Sequence, residues 1–389
     1  MYYKIEIRPE MAKEKLEVNK KSILMAETKS KRLLSLDVLR GMTVAGMILV
    51  NNGGGRYSFE PLNHSAWNGL TPCDLVFPFF LFMVGVSIFI SLSRHAGEPG
   101  IVTKIIKRTV IMFAIGVLLH AWDMLIWGDA ANIPGYLRIW GVLQRIALSY
   151  CGASFLFLAF QGRHLWKITF SLLAIYAVIL LVGNGYSEVA DENWLGKVDR
   201  VLFGNHIYSK VLDGRTPVDP EGLAGVISGI AHAMIGVICG KAIMKGKDVS
   251  EKIMNVVVIG AALGIAGYLI SYGLPINKRI WSPSYVLVTC GMGACLLGLF
   301  TWLIDLKGYT KWSTVFQWFG MNALFVYILS EMLPSVIGVT GISGLLFDGW
   351  ASIFGPESPW SFLFYALTLV VFMALCAWLL FRKKIIIKI

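Results

Sequence analysis

Ten apolar runs, each close to the ~20 residues a helix needs to cross a bilayer core, recur along this chain. They lie near 36–52, 74–93, 104–122, 140–160, 166–184, 222–243, 253–274, 284–305, 312–333 and 360–381. Backbone in hydrocarbon must satisfy its own hydrogen bonds, so runs of this kind span as α-helices. The expected fold is therefore all-α: a polytopic membrane protein built as a bundle of about ten transmembrane helices. A further stretch, 334–354, is apolar but interrupted by Pro334, Gly338, Gly341 and Gly344, and reads as a short re-entrant or interfacial segment. Charged residues make up 15% of the 389, too few to clothe a soluble surface of this length.

The net charge of +11 does not point to nucleic acid, because the Lys and Arg residues lie in the tails and alternate loops instead of interleaving with aromatics on one face. Arg94, Lys104, Lys107 and Arg108, then Arg163 with Lys167, then Lys241 with Lys245, Lys247 and Lys252, then Lys307 with Lys311, share a side with both chain ends. Basic loops resist translocation, so both termini are expected in the cytoplasm and the loop around His64 outside. Two domains follow: a cytoplasmic basic tail, 1–34, without the apolar core of a cleavable signal peptide, and a membrane domain, 35–389, with an exterior loop at 185–221. The six cysteines form no C-x-x-C pair and indicate neither a disulfide framework nor a zinc site. The absence of a Walker A loop and of G-x-G-x-x-G speaks against an ATP-driven pump or a nucleotide-redox enzyme. Glycine pairs at 225 and 229, 236 and 240, and 260 and 264 allow close helix approach.

Chemistry concentrates in the loop from Leu62 through Asp74, between the first two runs. Imidazole, with an unperturbed pKa of roughly 6.5, exchanges protons near neutrality, which makes His64 a candidate base. Asp74 can orient its ring, and Asn51, upstream, can donate to a developing oxyanion. Each has a plainer reading: a solvated loop histidine, a helix N-cap at Asp74, and a tight exit turn at Gly53, Gly54 and Gly55. His232, mid-span, reads as a hydrogen-bonded structural histidine; His95, His120, His164 and His206 carry no assignment on pattern.

Polar side chains within spans are costly and deserve a functional hypothesis. Arg145, beside Gln144, can serve a ligand or snorkel to headgroups. Asn322 can do the same or bond between helices. Together they would be the substrate ligands of an amino-sugar or glycan permease, the alternative to an enzyme, although no transporter-type repeat is evident. A non-catalytic scaffold is the third reading. The segment Asn277, Lys278, Arg279, Ile280, Trp281 is dense in donors and suits a polar glycan or lipid headgroups. Glu221 precedes the sixth run, where a carboxylate is favoured at a helix N-terminus. The tryptophans fit an interfacial belt, and some can also stack on a sugar.

Eight stretches, in order, resemble the transmembrane acyltransferase family of the heparan-alpha-glucosaminide N-acetyltransferase type and its bacterial relatives. They are Ser35 to Gly41, Val50 to Gly55, His64 to Pro78, Gly141 to Arg145, Asp219 to Gly222, Asn277 to Tyr285, Gly320 to Asn322, and Lys383 to Ile385. The resemblance implies that acetyl-CoA is taken from the cytosol and its acetyl group passed to the amine of a glucosamine across the membrane. It also implies a catalytic His64 with Asn51 as a nearby partner. Within that expectation Asp74 completes the catalytic group, and no metal is called for. Arg40, Lys104, Lys107, Arg108, Arg145 and Asn322 are candidates for acetyl-CoA, and Trp67, Asn68, Asn277, Lys278, Trp281 and Glu221 for the acceptor. The short exterior loop and bare tail fit a bacterial inner membrane. Expected partners are membrane lipid and an amino-sugar or glycan acceptor, not nucleic acid; a homo-oligomer is left open.

Overall fold

The apolar runs end where proline, capping side chains and glycine stop them. A computed structural model describes residues 33–208 and 218–387; the expected tail up to residue 32, residues 209–217 of the exterior loop and the last two residues lie outside the described residues. The helices are α1 (Leu34–Gly53), α2 (Val76–His95), α3 (Ile101–Ile126), α4 (Val142–Ala159), α5 (Leu165–Val182), α6 (Trp194–Phe203), α7 (Gly225–Lys245), α8 (Val249–Ile270), α9 (Pro283–Phe300), α10 (Thr314–Met321), α11 (Ala323–Val339), α12 (Ile342–Phe354) and α13 (Pro359–Arg382). Ser282 caps α9 by accepting from the Tyr285 amide, with Pro283 in the first turn, and Asp248 caps α8 through Glu251 N. Among the described residues nine helices are long and apolar enough to cross a membrane, or ten if one bent pair counts as a span.

That pair corrects the expected ninth span. Instead of a straight helix over 312–333, the chain breaks at Asn322, and the two halves, Lys311–Met321 and Ala323–Val339, are inclined by 75°. The side chain of Asn322 holds the break: its amide donates to Ile385 O at 2.9 Å and its oxygen accepts from Ile387 N at 2.9 Å. Polar backbone freed at a helix break within a membrane needs such partners. Beyond the break α11 runs through Pro334 to Val339. The next helix, α12, has 13 residues, about 20 Å at 1.5 Å per residue, too short to span.

Side chains of α2, α7 and α9 form the centre of the bundle, with Leu81, Phe82, Val86, Met234, Val237, Val286 and Cys290 fully enclosed. Two contacts require glycine. A Cβ on Gly236 of α7 would meet the carbonyl oxygen of Phe82 in α2, and one on Gly85 would meet that of Ala233. In the same way, Gly41 of α1 and Gly320 of α10 lie against each other's backbones, at Phe316 O and Asp37 O. Small residues at helix contacts give this close approach. Gly236→Ala is expected to lower the thermal midpoint in detergent, since overpacking costs about 1–3 kcal/mol. Gly264→Ala, whose Cβ would meet nothing within 4 Å, should leave it unchanged or higher; equal shifts in the two variants would contradict the packing account.

Candidate active site

Thr71, Pro72, Cys73 and Asp74 form a capping box. Thr71 is the cap, Pro72 starts a single turn, and Asp74 reaches back to the cap's backbone amide. This turn leads into α2 and buries the Asp74 carboxylate completely. Its Oδ2 accepts from Thr71 N and Ser65 N, both at 3.1 Å, and lies 3.0 Å from the Thr71 hydroxyl. Its Oδ1 lies 2.7 Å from His64 Nδ1 and 3.4 Å from Lys278 Nζ. An ionised carboxylate only accepts, so the 2.7 Å contact makes Nδ1 the protonated nitrogen and leaves Nε2 with its lone pair. His64 is 53% exposed, so Nε2 remains reachable. Lys278 Nζ lies 3.0 Å from Nδ1 and 3.4 Å from Nε2; since Nδ1–H donates to Asp74, Lys278 contributes charge and pairs with the carboxylate. Cys73, which carried no assignment in the sequence, packs its Sγ at 3.1 Å from Nδ1 and 3.8 Å from Nε2.

The loops expected on one side meet around this pair. Gly69 N donates to Ile276 O, Trp67 Nε1 to Tyr186 O, and Ile139 N to His206 O. Asn277 is fully buried and ties its own loop to the His64 loop through Nδ2 to Asn68 Oδ1, 3.1 Å. Several acceptor candidates therefore occupy other positions than expected. Trp281 is buried against Phe77 and Tyr285, with the Arg145 guanidinium over its ring. Trp67 is buried too. Neither indole is open for a sugar to stack on. Glu221 is paired with Arg138 at 2.6 Å, and Arg138 also holds Asp219 at 2.6 Å. Burial penalises the Glu221 charge, but the neighbouring Arg138 and Arg145 outweigh it and hold the carboxyl below its ordinary value.

Asn51 is not hydrogen-bonded to His64 or Asp74; its amide donates to Glu331 of α11 at 3.0 Å. Both line a cavity of about 480 Å³ together with Asn52, His120, Asp123 and Gln144. Glu331, His120 and Asp123 were not singled out in the sequence. The signal for Glu331 was present, a carboxylate within an apolar run. His120 gives no comparable cue: its Nδ1 lies 2.8 Å from Arg138 O, a contact between residues joined only by the fold.

Toward the opposite end a cavity of about 590 Å³ brings together Arg40, Arg108 and Asn322 with Ser87, Tyr150 and Ile387. Arg40 also bonds Ser87 at 2.9 Å and Asp37 at 3.2 Å. The remaining donor candidates are elsewhere. Lys104 is exposed and pairs with Glu98, and Lys107 is exposed. Arg145 is buried and donates to Gly222 O at 2.9 Å, so it neither snorkels nor lines this cavity. Arg145 and Asn322 line different cavities, which removes the joint ligand set on which the permease reading stood. A third space of about 10 Å³, lined by Met47, Phe77, Phe80, Leu143, Leu324 and Tyr327 among others, shares wall residues with both large cavities and on that ground is read as a neck between them. Leu143 lines all three spaces. His64 is not among the residues lining this series, but Phe77, one helical turn after Asp74, is.

These features define a class: a polytopic helical membrane protein with an imidazole–carboxylate pair in the loop before its second helix and a set of cavities within the bundle. Residues 32–210 match the family model described as "Heparan-alpha-glucosaminide N-acetyltransferase, catalytic". The chain is 29% identical over 418 aligned residues to the heparan-alpha-glucosaminide N-acetyltransferases of Mus musculus and Homo sapiens, covering 92% of this chain and 60% of each relative. It thus spans about 60% of the length of those relatives. The family resemblance carried by the motifs is shown along nearly the whole chain.

Helix α6 makes the stability of the protein depend on pH. Asp199 of α6 is 1% exposed and accepts from Leu223 N at 3.0 Å. Burial, reinforced by the Asp219 charge, pushes its carboxyl up to about 6. An unfolded aspartate titrates at about 3.9, so between these values the folded state binds more protons and the Asp199 contribution to stability falls as pH rises. Relative to Asp199→Asn, the wild type should lose thermal stability between about pH 4 and pH 6. Parallel melting curves across this window would refute the assignment.

Proposed function

We propose that the protein is a membrane acetyltransferase that moves the acetyl group of cytosolic acetyl-CoA to the amine of an exterior, periplasmic glucosamine-type sugar. Both termini are then cytoplasmic, and the membrane is the bacterial inner membrane. The observation that carries the reading is the series of three spaces sharing Leu143, from the cavity with Arg40 and Arg108 to the one with Asn51. The phosphates of CoA cannot cheaply enter hydrocarbon, and the two arginines suit them; only the slim pantetheine arm would then need the neck. At about 10 Å³, roughly room for one water, the neck is closed to that arm, so transfer requires Met47, Phe80 and Leu324 to shift.

The chemistry is a substitution at the thioester carbonyl. A neutral amine attacks, the C–N bond forms, the C–S bond breaks, and the departing thiolate takes a proton. His64 Nε2 is the base that removes the proton from nitrogen, while Asp74 at Nδ1 stabilises the imidazolium. In the two-step variant Nε2 first accepts the acetyl group, then yields it to the amine. Asn51 is the candidate donor to the carbonyl oxygen as its charge grows.

With labelled acetyl-CoA and glucosamine, purified wild-type protein should form N-acetylglucosamine. His64→Ala should lower kcat by roughly 10²–10⁴-fold. Full activity in His64→Ala, or no transfer by the wild type, would remove the reading. Arg108→Ala should raise the KM for acetyl-CoA about tenfold, the scale of one charge-assisted contact, and leave that for glucosamine unchanged; the reverse pattern would place the donor elsewhere.

A further inference from the structure

The cavity beyond the neck holds polar side chains besides Asn51 to which the transfer chemistry above gives no role. Among the described residues two carboxylates line it, Glu331 on α11 and Asp123 on α3, and no lysine or arginine does. Glu331 Oε1 accepts from Asn51 at 3.0 Å, and Asp123 Oδ1 accepts from the Ser335 hydroxyl at 2.6 Å. A carboxylate has about four acceptor positions, so both retain capacity toward the cavity. A second observation is independent of the acids. Gln144 is 1% exposed and lines the same space, and its Nε2 has no hydrogen-bond partner among the described residues. A buried donor without a partner is costly, and a ligand oxygen is the natural acceptor for it. The volume of about 480 Å³ falls within the roughly 300–1,000 Å³ of small-molecule pockets.

We propose that this cavity is the acceptor site and that it selects a protonated amine carried on a polyhydroxyl ring, with Glu331 binding the ammonium and Gln144 donating to a ring oxygen. The inference rests on the acetyl-transfer reading for its role in turnover, but not for ligand binding. An amino sugar arrives largely as R–NH3+, which has no lone pair. One proton passes to the Glu331 carboxylate, giving the neutral amine and a carboxylic acid. After the C–N bond forms and the C–S bond breaks, the second proton goes to the departing CoA sulfur, and Glu331 returns its proton to solvent. The balance is one ammonium and one thioester in, one amide, one thiol and one proton out. Sugars without an amine forgo the ion pair and bind more weakly.

The test uses the full chain in detergent or nanodiscs. Glu331→Gln keeps an acceptor for Asn51 and removes the charge together with the capacity to take the ammonium proton. It should raise the KM for glucosamine by roughly 10- to 100-fold, the worth of a charged hydrogen bond, with the KM for acetyl-CoA unchanged. Independently of turnover, glucosamine should protect the wild type against thermal unfolding at lower concentration than glucose, and Glu331→Gln should abolish that preference. Equal protection of the wild type by glucosamine and glucose overturns the proposal even if the variant fails to fold, and so does an unchanged KM in a folded variant. A wild type that shows the preference but transfers no acetyl group would instead retire the acetyltransferase reading and leave the amine site standing.

Discussion

Hydrocarbon offers no hydrogen bonds, so each polar group this chain takes below the membrane surface has to find its partner within the protein. The Asp74 carboxylate shows what this demands. It is fully enclosed, yet two backbone amides, the Thr71 hydroxyl, the His64 ring and the Lys278 ammonium all converge on it. Removing it would leave two loops without a common anchor and an imidazole without an orientation. The same demand acts at Asn322, where a broken helix is tolerated because one amide side chain binds two backbone groups of the C-terminal segment. At Gln144 Nε2 the demand is unmet among the described residues, and the proposed acceptor site makes use of that donor.

Close packing and polar satisfaction divide the bundle between them. Around Gly85 and Gly236 the helices touch backbone to backbone and leave no room for solvent or ligand. Away from these contacts, between α1, α3, α4 and α11, the packing opens into cavities whose ends are polar and whose neck is apolar. An apolar neck is a barrier to ions and sugars alike. It can admit a thin, uncharged chain when a few side chains move. That asymmetry is what a thioester arm presented from one compartment to an amine in the other would need.

Local patterning made much of this legible. The number and length of the spans follow from hydrophobic runs, and nine of the ten run essentially as expected. The His64–Asp74 contact was readable because the two residues lie ten apart in one short loop, which Ser65 N and the Thr71 hydroxyl fold back onto the capping turn. The break at Asn322 was not, because hydropathy does not register a bend stabilised by a segment over sixty residues away. Arg145 misled for a related reason: a buried guanidinium looks like a ligand site, yet here it bonds a backbone carbonyl and lies over the Trp281 ring.

By itself, then, the sequence determined a helical membrane bundle and the imidazole–carboxylate pair, since both arise from interactions within a run or a short loop. Only the tertiary structure decided that Asn51 faces Glu331 across a separation of 280 residues, that Lys278 joins His64 across 214, and that Trp67 and Trp281 are packed away. Those contacts depend on how helices with similar apolar faces choose one another. That choice rests on backbone approach at glycines and on the pairing of buried polar groups, neither of which has a period along the chain.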